Sequence, residues 1–304
     1  MDKEKIAKVL MQQIPASIIR LDEPMKNHTT FKIGGPADIF VAPEEVDDLL
    51  YILKVCRDNN IPYYIIGNGS NLLVDDGGYR GIIIQIFRNM SNILIEDNEV
   101  YVQAGALLAK VANECLGAGL TGFEFAHGIP GTMGGAVYMN AGAYGGEIKQ
   151  VLVSADVIDQ KGNRITLTNE ELELGYRTSK AQKEQMLVIG ARMSLQQGDP
   201  GEIKEQMEHL AYLRRSKQPL TLPSAGSTFK RPEGCFAGKL IMDAGLRGFR
   251  IGDAAVSEKH CGFVVNLGEA TAKDVKTLMK HIQQTIKERF DKELIPEVRV
   301  IGEE

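Results

Sequence analysis

Apolar residues return every three to four positions in four stretches, near residues 3–13, 44–59, 107–116 and 272–290, and each predicts an amphipathic helix. In the second the apolar face is Val46, Leu49, Leu50, Leu53 and Cys56. In the last it is Val275, Leu278, Met279, Ile282, Ile286 and Phe290. Core packing accounts for both stripes. Gly117 and Gly119 close the third helix. Glu202–Lys217 reads as a charged helix and Ala237–Asp243 as a short one. Shorter apolar runs predict strands at 37–41, 63–66, 72–74, 81–86, 100–104, 151–158, 164–167, 187–195, 262–266 and 297–301. Those between 151 and 195 read as antiparallel. Helices and strands mix without regular βαβ alternation, which favours α+β over a doubly wound sheet. Gln218–Gly234, rich in Pro, Ser, Thr and Gly, marks a junction. The expected division is therefore one unit over 1–217, itself split into about 1–104 and 105–217, and a second over 218–304.

Two glycine clusters interrupt this pattern. Gly128–Gly146, GIPGTMGGAVYMNAGAYGG, holds seven glycines in nineteen residues. Glycine lets the main chain approach a ligand with no Cβ in the way, and its peptide N–H groups form concave nests suited to phosphate or pyrophosphate. The plain alternative is a set of turns between strands. Gly67-Asn68-Gly69-Ser70-Asn71 lies between two predicted strands. It lacks the third, helix-opening glycine of the dinucleotide fingerprint. No G-x-x-x-x-G-K-[ST] loop occurs, so P-loop chemistry is not expected.

Composition narrows the function classes. Over 304 residues the net charge is −5, which argues against a general nucleic-acid binder. No apolar run approaches a membrane span, and the helical, acid-bearing MDKEKIAKVLMQQI is not read as a signal peptide. The chain is expected in the cytoplasm, with no obligate protein partner. Cysteines 56, 115, 235 and 261 form no C-x-x-C pair and the five histidines show no ligand spacing. Neither a disulfide framework nor a metal site is expected, and Cys56 and Cys115 read as buried thiols.

Seven segments, in order, carry a resemblance: NHTTFKIGGPAD (27–38), IIGNGSNLLV (65–74), GIPGTMGGAVYMNAGAYGGEI (128–148), ELGYRTSK (173–180), AGSTFKRP (225–232), AGKLIMDAGLRG (237–248) and IPEVRVIG (295–302). From about Asn27 onward the chain resembles the UDP-N-acetylenolpyruvoylglucosamine reductases, flavoenzymes of bacterial peptidoglycan precursor synthesis. The resemblance implies a two-part FAD-binding unit of the flavin-oxidase (PCMH-like) class and a C-terminal α+β substrate-binding domain. It implies noncovalent FAD, with NADPH as hydride donor. The longer branch of the family carries a tyrosine-bearing loop after the GYR motif. Here Gly175-Tyr176-Arg177 is followed by TSKAQKEQM and the strand from Leu187, which leaves no room for that loop. The chain thus resembles the shorter, second branch.

Site residues follow from the same resemblance. Gly67, Asn68, Gly69, Ser70, Asn71 and Leu72 are expected at the FAD pyrophosphate. Gly131, Thr132, Gly134, Gly135, Ala136, Asn140, Gly142, Ala143 and Gly145 are expected along the rest of the cofactor. His127, beside this segment, is expected to remain unlinked to flavin. The implied reaction reduces an enolpyruvyl ether to a lactyl ether, so the site needs cations facing a carboxylate and a positioned acid. Arg177 is implied at the carboxylate, although the residue alone reads as a surface salt bridge. Ser227 is implied as the acid, polarised by Lys230 or Arg177, with Ser224 and Thr228 as neighbours of the same type. Glu297 is implied as stabiliser of the intermediate, in its protonated form as a hydrogen-bond donor, with Glu293 as competitor. Arg214, Arg215, Lys217, Lys230 and Arg231 form a basic run with no acid between them. Lys217 leads as a diphosphate ligand, while the family often has asparagine at Arg231. Arg214, Lys230 and Tyr144 are further substrate-binding expectations. Two other readings stand beside this one. Another flavin oxidase would explain the glycine loops but not GYR, GSTFK and PEVR together. A nucleotide-binding regulatory module would explain the loops alone.

Overall fold

A computed structural model of the chain describes residues 2–304. The first sheet runs Ile19–Pro24, Pro36–Val41, Tyr79–Gln85, Tyr63–Ile66, with the first pair antiparallel and the others parallel. Its centre is an unbroken Ile82-Ile83-Ile84. Successive strand side chains point to opposite faces, and here both faces are covered. Ile82 and Ile84 meet Leu49, Ile52 and Leu53 of the helix Val46–Asp58, while Ile83 meets Phe40, Leu72 and Val74.

The second sheet is antiparallel throughout, in the order Arg164–Thr168, Leu152–Ile158, Leu187–Ser194, Glu99–Gln103, Ile93–Glu96. The helices Leu108–Gly117 and Met133–Tyr138 share its core. Its last two strands precede residue 104, where the sequence suggests a division. Strands Ile19–Pro24, Ile93–Glu96 and Ala254–Val256 have no counterpart in the sequence reading. The first two are sheet edges with exposed, partly charged positions, so their apolar pattern is thin.

The C-terminal unit folds around the helix Ala272–Phe290. Val275, Leu278, Met279, Ile282 and Ile286 are buried as expected, whereas Phe290, in the last turn, is exposed. Phe31, Ile33 and Leu73 from the first unit belong to the same core cluster. The strand Arg299–Ile301 pairs in parallel with Leu72–Val74, directly after the GNGSN loop. The Asp76 carboxylate accepts the Ala272 and Lys273 amides at 2.8 and 3.0 Å, capping the helix from outside its own unit. Lys276 Nζ lies 2.5 Å from Asp75. These contacts seat the C-terminal unit against one glycine loop.

All four cysteines are free, and burial pushes the Cys56 and Cys115 thiols up to about 12. No helix among the described residues is long and apolar enough to cross a membrane.

Candidate active site

The two glycine clusters come from different sheets and meet. Asn68 Nδ2 donates to the Pro130 carbonyl at 2.9 Å, and a Cβ on Gly67 would lie 2.3 Å from Thr132 Oγ1. Gly69 holds φ +61°, and a Cβ there would come within 2.1 Å of the His28 carbonyl oxygen. Only glycine suits that position. The backbone N–H groups of Asn68, Gly69, Ser70 and Asn71 have no acceptor among the described residues. Leu72 offers no side chain to the cleft, because it is buried in the core.

The longer cluster divides by what its glycines touch. Gly134 packs on Ala104 and Gly146 on the Phe125 ring, where a Cβ would come to 2.8 and 2.4 Å. Both are required by the protein itself. Gly135 is different: it is exposed in the helix Met133–Tyr138, and a Cβ would meet only Thr132 Oγ1, at 3.7 Å. Gly131 and Gly145 are equally uncrowded. Thr132 is buried at the helix N-cap and Ala136 in the core. Ala143, Tyr144 and Gly145 form the tip of a small hairpin whose strands are Gly142–Ala143 and Gly146–Glu147. Asn140 is buried and engaged with protein groups. Its Oδ1 accepts the Lys149 amide at 2.9 Å, and its Nδ2 donates to Glu147 Oε2 at 3.2 Å and the Gly175 carbonyl at 3.1 Å. In this structure it braces the hairpin against the GYR turn. His127 Nδ1 is buried with no partner among the described residues.

Arg177 stands in a four-residue turn closed by hydrogen bonds between Gly175 and Thr178 at 3.1 and 3.3 Å. Its φ is +54°, a costly value for a residue with a Cβ. The turn aims the guanidinium at Glu297: Nε lies 2.6 Å from Oε1, and Nη2 donates to the Gly142 carbonyl at 3.4 Å. Glu297 is in turn fixed by its backbone. Its N–H donates to the Thr228 carbonyl at 2.9 Å, and its carbonyl accepts from Asn71 Nδ2 at 3.1 Å. Glu297 therefore joins both the GNGSN loop and the GSTFK loop.

The neighbours weighed in the sequence separate here. Thr228 is buried and its Oγ1 accepts the Val264 amide at 2.9 Å, whereas Ser227 is exposed beside Gly226, at φ +77°, with no hydroxyl partner among the described residues. The Ser224 carbonyl accepts from Thr30 Oγ1 at 2.7 Å. Glu293 is a solvent-side group whose carboxylate lies 3.8 Å from Lys287, not on Arg177. Arg214 lies against Gly128, where a Cβ would come 3.0 Å from its Cδ. Burial holds its guanidinium below the usual arginine value, and it has no ion-pair partner among the described residues. Lys217 is exposed in the last turn of the helix Pro200–Lys217, Lys230 is half-buried, and Arg231 stacks 3.9 Å over the Phe236 ring.

Residues 218–301 match the UDP-N-acetylenolpyruvoylglucosamine reductase C-terminal domain, and residues 37–168 match an FAD binding domain. A UDP-N-acetylenolpyruvoylglucosamine reductase from Alkaliphilus oremlandii is 53% identical over 304 residues, all of both chains. The chain belongs to the UDP-N-acetylenolpyruvoylglucosamine reductase family. A family member from Clostridium perfringens is 56% identical over 93% of each chain. The crystal structure of the Thermus caldophilus reductase superposes with a TM-score of 0.79 at 36% identity, covering 93% of this chain and 97% of that one. Alkyldihydroxyacetonephosphate synthase superposes with a TM-score of 0.50 at 15% identity, over 64% of this chain and 40% of that chain, a likeness of fold alone.

Within this family member the GYR turn leads straight into the short helix Lys180–Lys183 and the strand Leu187–Ser194. Three contacts of the site escaped the sequence reading: Asn71 to Glu297, Asn140 to Gly175, and Tyr176 to the loop after Ser227. All three join distant residues through a backbone group, and a backbone group leaves no mark in the sequence.

Proposed function

We propose that this chain reduces the enolpyruvyl ether of UDP-N-acetylglucosamine to UDP-N-acetylmuramate, with noncovalent FAD and with NADPH as electron source, in peptidoglycan precursor synthesis. The observation that carries the proposal is the meeting of Arg177 and Glu297 at 2.6 Å, on a segment bonded to both the GNGSN loop and the Ser227 loop. Family membership supports the substrate class. The residues fit FAD: four successive amides, at 68–71, have no acceptor among the described residues and suit a diphosphate, and exposed Gly135 leaves room for a flat group. When bound, FAD would supply the hydride chemistry that links NADPH to the terminal vinyl carbon.

The protein's part is to hold the carboxylate and supply a proton. The Arg177 guanidinium binds the substrate carboxylate as a fork and stays charged while negative charge builds there. Binding therefore makes the carboxylate share or replace Glu297 on that guanidinium. The Ser227 hydroxyl, free of protein partners, gives its proton to the carbon beside the carboxylate. Lys230 and Arg177 stabilise the oxygen left behind. Glu297 orients the guanidinium and, in its acid form, donates a hydrogen bond to the intermediate. Arg214, Lys217, Lys230, Arg231 and Tyr144 are the proposed substrate-binding set, with the diphosphate on the basic side chains. We further assign the cofactor-binding unit to residues 1–217 and the substrate-binding domain to 218–304, with Tyr144, Arg177, Arg214 and Lys217 reaching the substrate from the first unit.

An anaerobic titration tests the proposal. NADPH should bleach the flavin, and the enolpyruvyl sugar nucleotide should restore its colour. A bleached protein that the sugar nucleotide leaves colourless would favour another flavin oxidase. A purified protein without flavin would favour a regulatory nucleotide-binding module.

A further inference from the structure

The catalytic side chains proposed above sit on different units, and something must hold those units in register. The loop 225–232 is bonded within its own unit by three backbone contacts, Thr228 N–H to the Gly262 carbonyl, Lys230 N–H to the Ile295 carbonyl and Glu297 N–H to the Thr228 carbonyl, at 2.9, 2.8 and 2.9 Å, and by the Val264 N–H to Thr228 Oγ1 at 2.9 Å. Toward residues 2–217 it makes one hydrogen bond among the described residues. The Arg231 N–H donates to the Tyr176 hydroxyl at 3.1 Å. No other acceptor serves that amide. Tyr176 is the neighbour of Arg177 in the same closed turn, and its ring lies 5.2 Å from the guanidinium. One side chain thus touches both the group proposed to hold the carboxylate and the loop proposed to deliver the proton.

We infer that Tyr176 is a positioning residue, a latch whose hydroxyl sets the Ser227 loop at a fixed distance from Arg177. The inference rests on the reductase reading and goes beyond it. The Arg177–Glu297 pair also spans the units, but that pair must open or be shared when the substrate carboxylate reaches the guanidinium. The latch uses a phenol and a backbone amide, and neither is among the groups proposed above to hold the substrate. It therefore persists at the stage when alignment matters for proton delivery. A misplaced donor is costly because proton transfer requires hydrogen-bond reach. Tyr176 is 55% exposed, so its hydroxyl adds little to overall stability.

The test is Tyr176→Phe, which keeps the ring beside the guanidinium and removes only the oxygen. Hydrogen–deuterium exchange at the Arg231 amide should accelerate severalfold while the melting temperature stays unchanged. Flavin reduction by NADPH should remain within about twofold. Reoxidation by saturating enolpyruvyl sugar nucleotide should slow about three- to tenfold, the net worth of one hydrogen bond, with little change in substrate affinity. Unchanged exchange at Arg231 would overturn the latch. Faster exchange with unchanged reoxidation, or with both half-reactions slowed alike, would overturn its positioning role. If the wild-type flavin is not reoxidised by the sugar nucleotide, the reductase reading fails, and the exchange measurement still decides whether the latch exists.

Discussion

Gly135→Ala separates what the fold needs from what the cofactor needs. Gly135 is exposed in the helix Met133–Tyr138, and its nearest atom to an added Cβ is Thr132 Oγ1 at 3.7 Å, an ordinary contact. In the flavin-free protein the substitution should cost nothing. An alanine in an exposed helical position is better than glycine by about 0.5–1 kcal/mol. A flavin packed on this backbone would meet the new methyl group directly. Overpacking of that kind costs about 1–3 kcal/mol, roughly 5- to 150-fold in Kd. Gly134→Ala is the internal control. There the Cβ would stand 2.8 Å from the Ala104 Cβ and 3.3 Å from the Ala104 carbonyl, so the fold itself must yield. Flavin-free preparations of both variants should be melted and then titrated with FAD by fluorescence. The expected pattern is an unchanged or higher melting temperature with weakened FAD binding for Gly135→Ala, and a lowered melting temperature for Gly134→Ala. Wild-type FAD affinity in Gly135→Ala would refute the placement of the cofactor along this helix.

Ser227→Ala should leave flavin reduction by NADPH intact and slow reoxidation by the sugar nucleotide by roughly 10²–10⁴-fold, read by anaerobic stopped flow; equal losses in both half-reactions would remove the acid role. Asp76→Ala should cost about 1–2 kcal/mol, as loss of a helix cap does, because the Ala272 and Lys273 amides lose their acceptor; denaturant unfolding measures it, and an unchanged midpoint counts against the cap. Glu23 gives a pH signature. Burial, the largest single influence, raises its carboxyl, but the hydrogen bonds and charges of His28, 2.7 Å away, and Arg20, 3.2 Å away, together lower it more, and the net value lies below 4.5. The stabilisation is therefore present above pH 4.5 and lost as pH falls through the depressed value. The melting-temperature gap between wild type and Glu23→Gln should shrink below pH 4.5, and a gap that widens there would reverse the sign of the argument.

What was legible in the sequence follows from where the physical signal is local. The helix Ala272–Phe290 announces itself because five apolar positions at helical spacing must face one core. Phe290 falls outside that core because the helix stops at Asp291, at φ +50°, before its stripe completes another turn. The helix Met133–Tyr138 is hidden for the opposite reason. Two glycines make it a poor helix by propensity, and it forms because Gly134 lets it sit directly on Ala104. The site behaves likewise. Arg177 and Glu297 are suggested by their motifs, but 120 residues separate them and no periodicity links them. Their contact depends on a parallel pairing: Arg299–Ile301 beside Leu72–Val74 carries Glu297 to Asn71, opposite the GYR turn. Asn140 shows the limit from the other side. In the motif it reads like a cofactor ligand, yet Lys149, Glu147 and Gly175 engage both ends of its amide. A polar residue in a ligand-binding motif can serve by shaping the backbone that holds the ligand, and only its hydrogen-bond partners tell the two roles apart.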